Sequence, residues 1–225
     1  MKPESFKILL IVQVITLILV VILFFNNLSK PVLPVSNQPG VEMKMDQQGK
    51  IEVDSKNDFV FGNAQAPNFL IVFSRYNCEV CRDFYNKVVD SLNDTYVKSG
   101  KLKIIFKELV DTADKVGMLM AKLAEVARQN NHFPEMHSVL STGDEPKDSI
   151  AVMQLAKKAG LIYPDITLQL NSHETLNKIN ENNQVARKLN ITGTPSFVFN
   201  GQVFMGYMTY NDISQKMESP GIKNQ

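Results

Sequence analysis

The 225-residue chain has no tryptophan and only two cysteines, and its charges nearly cancel. Two cysteines build neither a disulfide framework nor a zinc ribbon, but a pair three positions apart is enough for one redox centre. With 24 Lys and Arg against 23 Asp and Glu, the formal charge is +1. No basic surplus exists to neutralise a phosphate backbone, so no nucleic-acid partner is expected. Glycine and proline, at 11 and 10 residues, are too few for a collagen-like or low-complexity chain. The 44% hydrophobic content argues against disorder. What remains is room for one ordinary domain and an additional segment.

That segment is at the start. Ile8 to Phe25 reads ILLIVQVITLILVVILFF, with Gln13 and Thr16 its polar residues. As a helix the run spans roughly 27 Å, close to the hydrocarbon thickness of a bilayer. It is longer than the usual apolar core of a cleaved signal, and no A-x-A-like site follows it, so an uncleaved anchor is expected rather than a removed leader. Lys2 and Lys7 before the span predict that residues 1–30 comprise a cytoplasmic tip and the anchor itself, with everything after them on the periplasmic or extracellular side of the membrane. Residues 31–57, punctuated by Pro31, Pro34, Pro39 and Gly40, read as a tether, with a short strand allowed at Gly49–Val53.

From residue 58 onward the pattern alternates. Phe59–Phe61 is a short apolar run, and Phe69–Phe73 is a continuous one, the signature of a strand buried on both faces. Val80, Phe84, Val88, Leu92 and Tyr96 recur every four residues and predict a helix ending near Gly100. Leu102–Leu109 is a second strand, which completes a βαβ unit. Helical patterns follow at Lys115–Asn130, Phe133–Leu140, Asp148–Ala159, Pro164–Leu170 and His173–Leu189, an insertion over about 112–190. The chain closes with strands at Ser196–Phe199 and Gln202–Met205 around an Asn200-Gly201 hairpin turn, then a helix near Asn211–Met217.

Cys78-Glu79-Val80-Cys81 falls at the first strand-to-helix junction. Helical spacing brings the two sulfurs within bonding reach. The unpaired N–H groups and partial positive charge of the first turn favour a thiolate on Cys78. Cys78 is therefore expected to be the attacking thiol and Cys81 the resolving one. A static disulfide closing so short a loop would stabilise little. A metal site would need further ligands at suitable spacing, and the three histidines do not supply them.

These residues carry a resemblance. The segments FGNAQAP, FLIVFSRYNCEVC, FKE, HFPEMH and ITGTPSFVFNG occur in the order found in the DsbA-type branch of the thioredoxin superfamily, from Phe61 to about Met217. The resemblance implies an α/β thioredoxin fold, βαβ…ββα, with an inserted helical subdomain. It also implies a thiol–disulfide oxidoreductase that needs no cofactor beyond its own cysteines. Its partners would be unfolded or reduced exported proteins, with a membrane quinone-linked thiol oxidase for reoxidation. An isomerase or reductase of the same fold, or a peptide-binding module without activity, are the rival readings. The resemblance further implies that Pro195 is cis and that Thr194 and Pro195 form the substrate-binding half of the site. It suggests Glu108, at the strand end, as a buried proton relay near Cys81; a solvated strand end is the other reading.

Departures from the family pattern stand between the cysteines. Glu79 and Val80 replace the proline and histidine of the strongest oxidants, and a carboxylate at Glu79 should oppose a thiolate on Cys78, with Arg75 and Arg82 able to offset it. His132 and His137 read as surface or packing residues, His173 as a polar residue at a helix start, and Met118, Met120 and Met153 as core. Phe199, Val203 and Phe204 read as sheet residues.

Overall fold

The computed structural model describes residues 41–45, 51–55, 58–161 and 166–219. The proposed membrane span at 8–25 lies outside them. β1 (Val41–Met45) and β2 (Ile51–Ser55) pair antiparallel, so the stretch read as a tether contains a two-stranded ribbon.

The second sheet carries the site. Its strands are β3 (Val60–Phe61), β4 (Asn68–Ser74), β5 (Leu102–Glu108), β6 (Ser196–Phe199) and β7 (Gln202–Met205), in the spatial order β3-β5-β4-β6-β7. β4 and β5 run parallel, as a crossover helix requires, and the other pairings are antiparallel. Leu70, Ile71 and Phe73 in β4 and Ile104 and Ile105 in β5 are fully buried, which accounts for the unbroken apolar runs. Register places Ser74 opposite Glu108, so both parallel strands end at the same edge. Asn200 and Gly201 turn the β6–β7 hairpin with positive φ at both positions, 47° and 89°. At Gly62, with φ 101°, a Cβ would stand 2.6 Å from Val97, so only glycine fits.

Helix α1 covers 79–97 and alternates α-helical segments (Glu79–Phe84, Asp90–Leu92) with π-helical ones (Tyr85–Val89, Asn93–Val97). The four-residue spacing of its apolar side chains explains why. On a 3.6-residue helix, positions four apart drift by about 40° per step and would leave the buried face within a few turns. Wide π turns absorb that drift. Phe84, Val88, Leu92 and Tyr96 all stay buried, whereas Val80, at the active-site end, is 47% exposed.

The insertion comprises α2 (Lys115–Gln129), α3 (Phe133–Thr142), α4 (Ser149–Lys158), α5 (Ile166–Leu170) and α6 (His173–Lys188); α7 (Tyr210–Glu218) ends the described chain. Starts are written locally: Asp114, Asp148 and Ser172 cap α2, α4 and α6 with their side chains, and Thr209 and Asp212 form a capping box on α7. Met120 is core and Met118 partly so, but Met153 is 37% exposed on α4, where the helical pattern had predicted burial.

An ion cluster joins insertion to sheet. Asp58 accepts from Lys107 Nζ of β5 at 2.6 Å and pairs with Lys178 Nζ of α6 at 2.8 Å; all three are buried. Lys107 also reaches Asn182 Oδ1 at 3.4 Å. Burial works against an ionised Asp58, but the two ammonium groups outweigh it and hold the carboxyl below its ordinary range.

Candidate active site

β4 delivers the chain to a tight turn in which Cys78 N–H donates to Arg75 C=O at 3.1 Å. Asn77 is fixed from the insertion: its amide donates to Asp114 Oδ2 at 2.6 Å, the same carboxylate group that caps α2. Cys78 follows as the N-cap of α1, with extended backbone (φ −106°, ψ 113°). The sulfur occupies the position where a cap normally offers oxygen, and it accepts Cys81 N–H at 3.3 Å. Cys81, one turn in, is buried, while Cys78 is half-exposed, and both are free thiols.

Across the cleft stands the start of β6. The Thr194–Pro195 peptide bond is cis. Thr194 C=O is 3.8 Å from Cys78 Sγ, and Arg75 Nε donates to Thr194 Oγ1 at 3.4 Å. Pro195 C=O is taken by Gly206 N–H at 3.1 Å. The fold thus brings Cys78, Cys81, Thr194 and Pro195 together from segments more than a hundred residues apart.

The electrostatics separate the two thiols. Cys78 is lowered to about 6, chiefly because the Cys81 S–H donates to it; burial opposes, and Cys81 N–H, Thr194 and Arg75 assist. Cys81 is driven well above the ordinary thiol range, first by donating its S–H hydrogen bond to the Cys78 sulfur and then by burial. Glu79 is exposed on the solvent side of the first turn, so its repulsion of Cys78 is screened by water. Arg82 is engaged elsewhere, 3.7 Å from Glu145. The departure between the cysteines therefore weakens Cys78 less than its charge alone suggests.

Glu108 is buried, not solvated. Its Oε1 accepts Ser74 Oγ–H at 2.9 Å, and burial raises it to about 8 against the help of Ser74 and the Tyr76 backbone. Of the histidines, His137 is buried in an aromatic nest against Tyr76, His132 is half-buried ahead of α3, and His173 is exposed at the start of α6. Phe199 is buried in β6, whereas Val203 and Phe204 are on the exposed edge strand, Phe204 under Lys216 Nζ at 3.9 Å. Among the described residues no group of three His, Cys, Asp or Glu side chains is placed to hold a metal ion. Sequence patterns alone missed Asn77 and Asp114, and gave Arg75 only as a charge able to offset Glu79. Only the capping signal at Asp114 was local; its partner is 37 positions away.

A family model described as thioredoxin matches residues 54–219. The Bacillus subtilis disulfide bond formation protein D is 24% identical over 172 residues, covering 72% of this chain and 77% of that protein. A curated relative from Rickettsia conorii is 23% identical over 168 residues, and the chain spans 60% of its length. Two crystal structures share the fold. Oxidised BdbD from Bacillus subtilis is 20% identical, with a TM-score of 0.63 over 81% of this chain and 97% of that one. Wolbachia pipientis alpha-DsbA1 is 20% identical, with a TM-score of 0.65 over 72% and 89%.

Proposed function

The chain belongs to the thioredoxin family, and on that premise we propose that it is an exported, DsbA-type thiol–disulfide oxidoreductase that forms disulfides in protein substrates. One observation carries the reading: the Cys78 sulfur caps α1, accepts Cys81 N–H at 3.3 Å, and lies 3.8 Å from the Thr194 carbonyl. A sulfur held ready as a thiolate thus stands beside a backbone edge able to pair with an extended peptide.

In the oxidising direction a substrate thiolate attacks Cys78 Sγ of the Cys78–Cys81 disulfide. The electron pair of the broken S–S bond goes to Cys81, and a mixed disulfide joins substrate to Cys78. The second substrate thiolate then attacks the substrate's own sulfur in that bond and expels Cys78 as thiolate, leaving an oxidised substrate and a reduced enzyme. The acidity of Cys78 supports this direction, because a stabilised reduced form makes its disulfide the stronger oxidant. Oxidised protein should oxidise a reduced two-cysteine peptide, and Cys78→Ala should abolish the reaction. A Cys78→Ala variant that kept full cellular activity would favour a peptide-binding module instead.

Glu108 serves Cys81 as proton store. Raised to about 8, it is mostly protonated at neutral pH and can give a proton to a departing Cys81 thiolate. Glu108→Gln should flatten the pH dependence of exchange between about pH 6 and 9; an unchanged profile removes Glu108 from the reaction.

The Ile8–Phe25 run anchors the protein in the membrane, with the catalytic domain outside the cytoplasm, where a quinone-linked thiol oxidase reoxidises it. That run lies outside the described residues, and among those no helix is long and apolar enough to cross a membrane. An export-dependent reporter fused after Gln225 should be active; activity of a cytoplasm-only reporter in its place would reverse the topology.

A further inference from the structure

Beside Cys81 the protein forms a partly open cavity with about 10 Å³ of room for the centre of a water molecule, lined by Cys81, Arg82, His137, Ser74 and Ser141 among others. Two of these side chains carry buried nitrogens with no hydrogen-bond partner among the described residues, Nε2 of His137 and Nη1 of Arg82. His137 is 2% exposed and held on several sides: Phe106 lies 4.3 Å from its ring, Tyr85 is edge-on at 4.8 Å, and Phe133 is stacked at 5.1 Å. Its Nδ1 is 2.8 Å from the Tyr76 hydroxyl.

The protonation of this pair is determined by its surroundings. Burial keeps the imidazole neutral, at about 3, and keeps the Tyr76 phenol protonated. The phenol has no other side-chain partner among the described residues, so its hydrogen goes to Nδ1. The imidazole hydrogen is then on Nε2. Both unpartnered nitrogens are donors, and buried donors left unmet are costly. A cavity with room for one water, mostly apolar but with two unmet buried donors on residues of its wall, is the kind that holds one.

We propose that one water occupies this cavity, accepts from His137 Nε2–H and Arg82 Nη1–H, and donates to the Cys81 sulfur. With both lone pairs engaged, the water has only hydrogens left to offer, which makes it a donor toward Cys81. The consequence rests on the reading of Cys78–Cys81 as an exchange centre. When substrate thiolate attacks Cys78, the broken S–S bond leaves its electron pair on Cys81, a buried sulfur that resists carrying charge. A hydrogen bond aimed at that sulfur eases its departure, since a better-stabilised leaving thiolate leaves faster. His137 is a positioning residue: it never meets the substrate and acts through the water it holds.

The test compares two reactions with excess glutathione by stopped flow. In the first, glutathione opens the Cys78–Cys81 disulfide and Cys81 leaves. In the second, glutathione attacks the glutathione sulfur of a Cys78–glutathione mixed disulfide in the Cys81→Ser background, and Cys78 leaves. Replacing both Tyr76 and His137 with Phe removes both partners of their hydrogen bond and keeps the aromatic volume. The double variant should slow the first reaction about three- to tenfold and leave the second unchanged. Arg82→Met, which keeps the apolar stem, should show the same selectivity. Equal slowing of both reactions, or of neither, in these variants overturns the proposal. Failure of the unmodified protein to react with glutathione at all would instead sink the oxidoreductase reading on which it rests.

Discussion

Iodoacetamide added to the reduced protein should label Cys78 and spare Cys81, with the rate half-maximal near pH 6. The value follows from the geometry: Cys78 is the N-cap, its sulfur takes the Cys81 S–H and N–H, and Thr194 and Arg75 stand beside it. At pH 7 such a thiol is about 90% thiolate, against about 3% for a free cysteine; its lower basicity makes each thiolate less nucleophilic, so the rate advantage over a free cysteine at neutral pH is about two- to threefold. The donors can be separated. Cys81→Ala removes the S–H and should move the half-maximum upward, whereas Cys81→Ser keeps an O–H donor and should move it less. Glu79→Gln should move it only slightly, because that carboxylate is exposed. Equal labelling of both cysteines, or a half-maximum near 8.5, would show that the helix start does not activate Cys78.

Asp58→Asn should be among the most damaging single substitutions outside the active site. It leaves Lys107 and Lys178 buried with no counter-charge, a loss of about 3–5 kcal/mol by the measure of broken buried pairs. Urea unfolding should show the midpoint fall accordingly. Asp83→Asn, which breaks the exposed pair with Lys87 at 2.7 Å, should leave the midpoint unchanged. The pH dependence has a defined sign. Asp58 titrates lower folded than unfolded, so its contribution is present above the ordinary carboxylate range and is lost as pH falls through the folded value. The Asp58→Asn variant should lack that acid-side component. A variant as stable as the parent would mean that the cluster does not hold the insertion to the sheet.

What the sequence disclosed and what it hid divide along the distance between partners. The β4 run, the Cys78 junction, the Asn200-Gly201 hairpin and the caps at Asp114, Asp148 and Ser172 depend on neighbours within a few residues, and local pattern found the elements they define. The β1–β2 ribbon was half seen, because its first strand, Val41–Met45, alternates charge and Met within a proline-bearing stretch. The π segments of α1 were implicit in its four-residue spacing, which a standard helix cannot satisfy. The Asp58 cluster left no local trace, since its members are 49 and more positions apart and each charge alone reads as surface. Glu108 is the instructive case: a strand end is usually wet, and only the packing of α2 and α6 over the sheet makes this one dry. His137 belongs with it: its place among the inserted helices left surface and packing both open and gave no sign of the unpartnered nitrogen.

The most direct test of the whole account is the reduction potential of the Cys78–Cys81 pair, obtained by equilibrating the protein with glutathione mixtures. A Cys78 thiolate this well stabilised predicts an oxidising couple, above about −200 mV, so that the protein gives its disulfide away. A value near about −270 mV, where thioredoxin reductants operate, would contradict the proposed direction of electron flow.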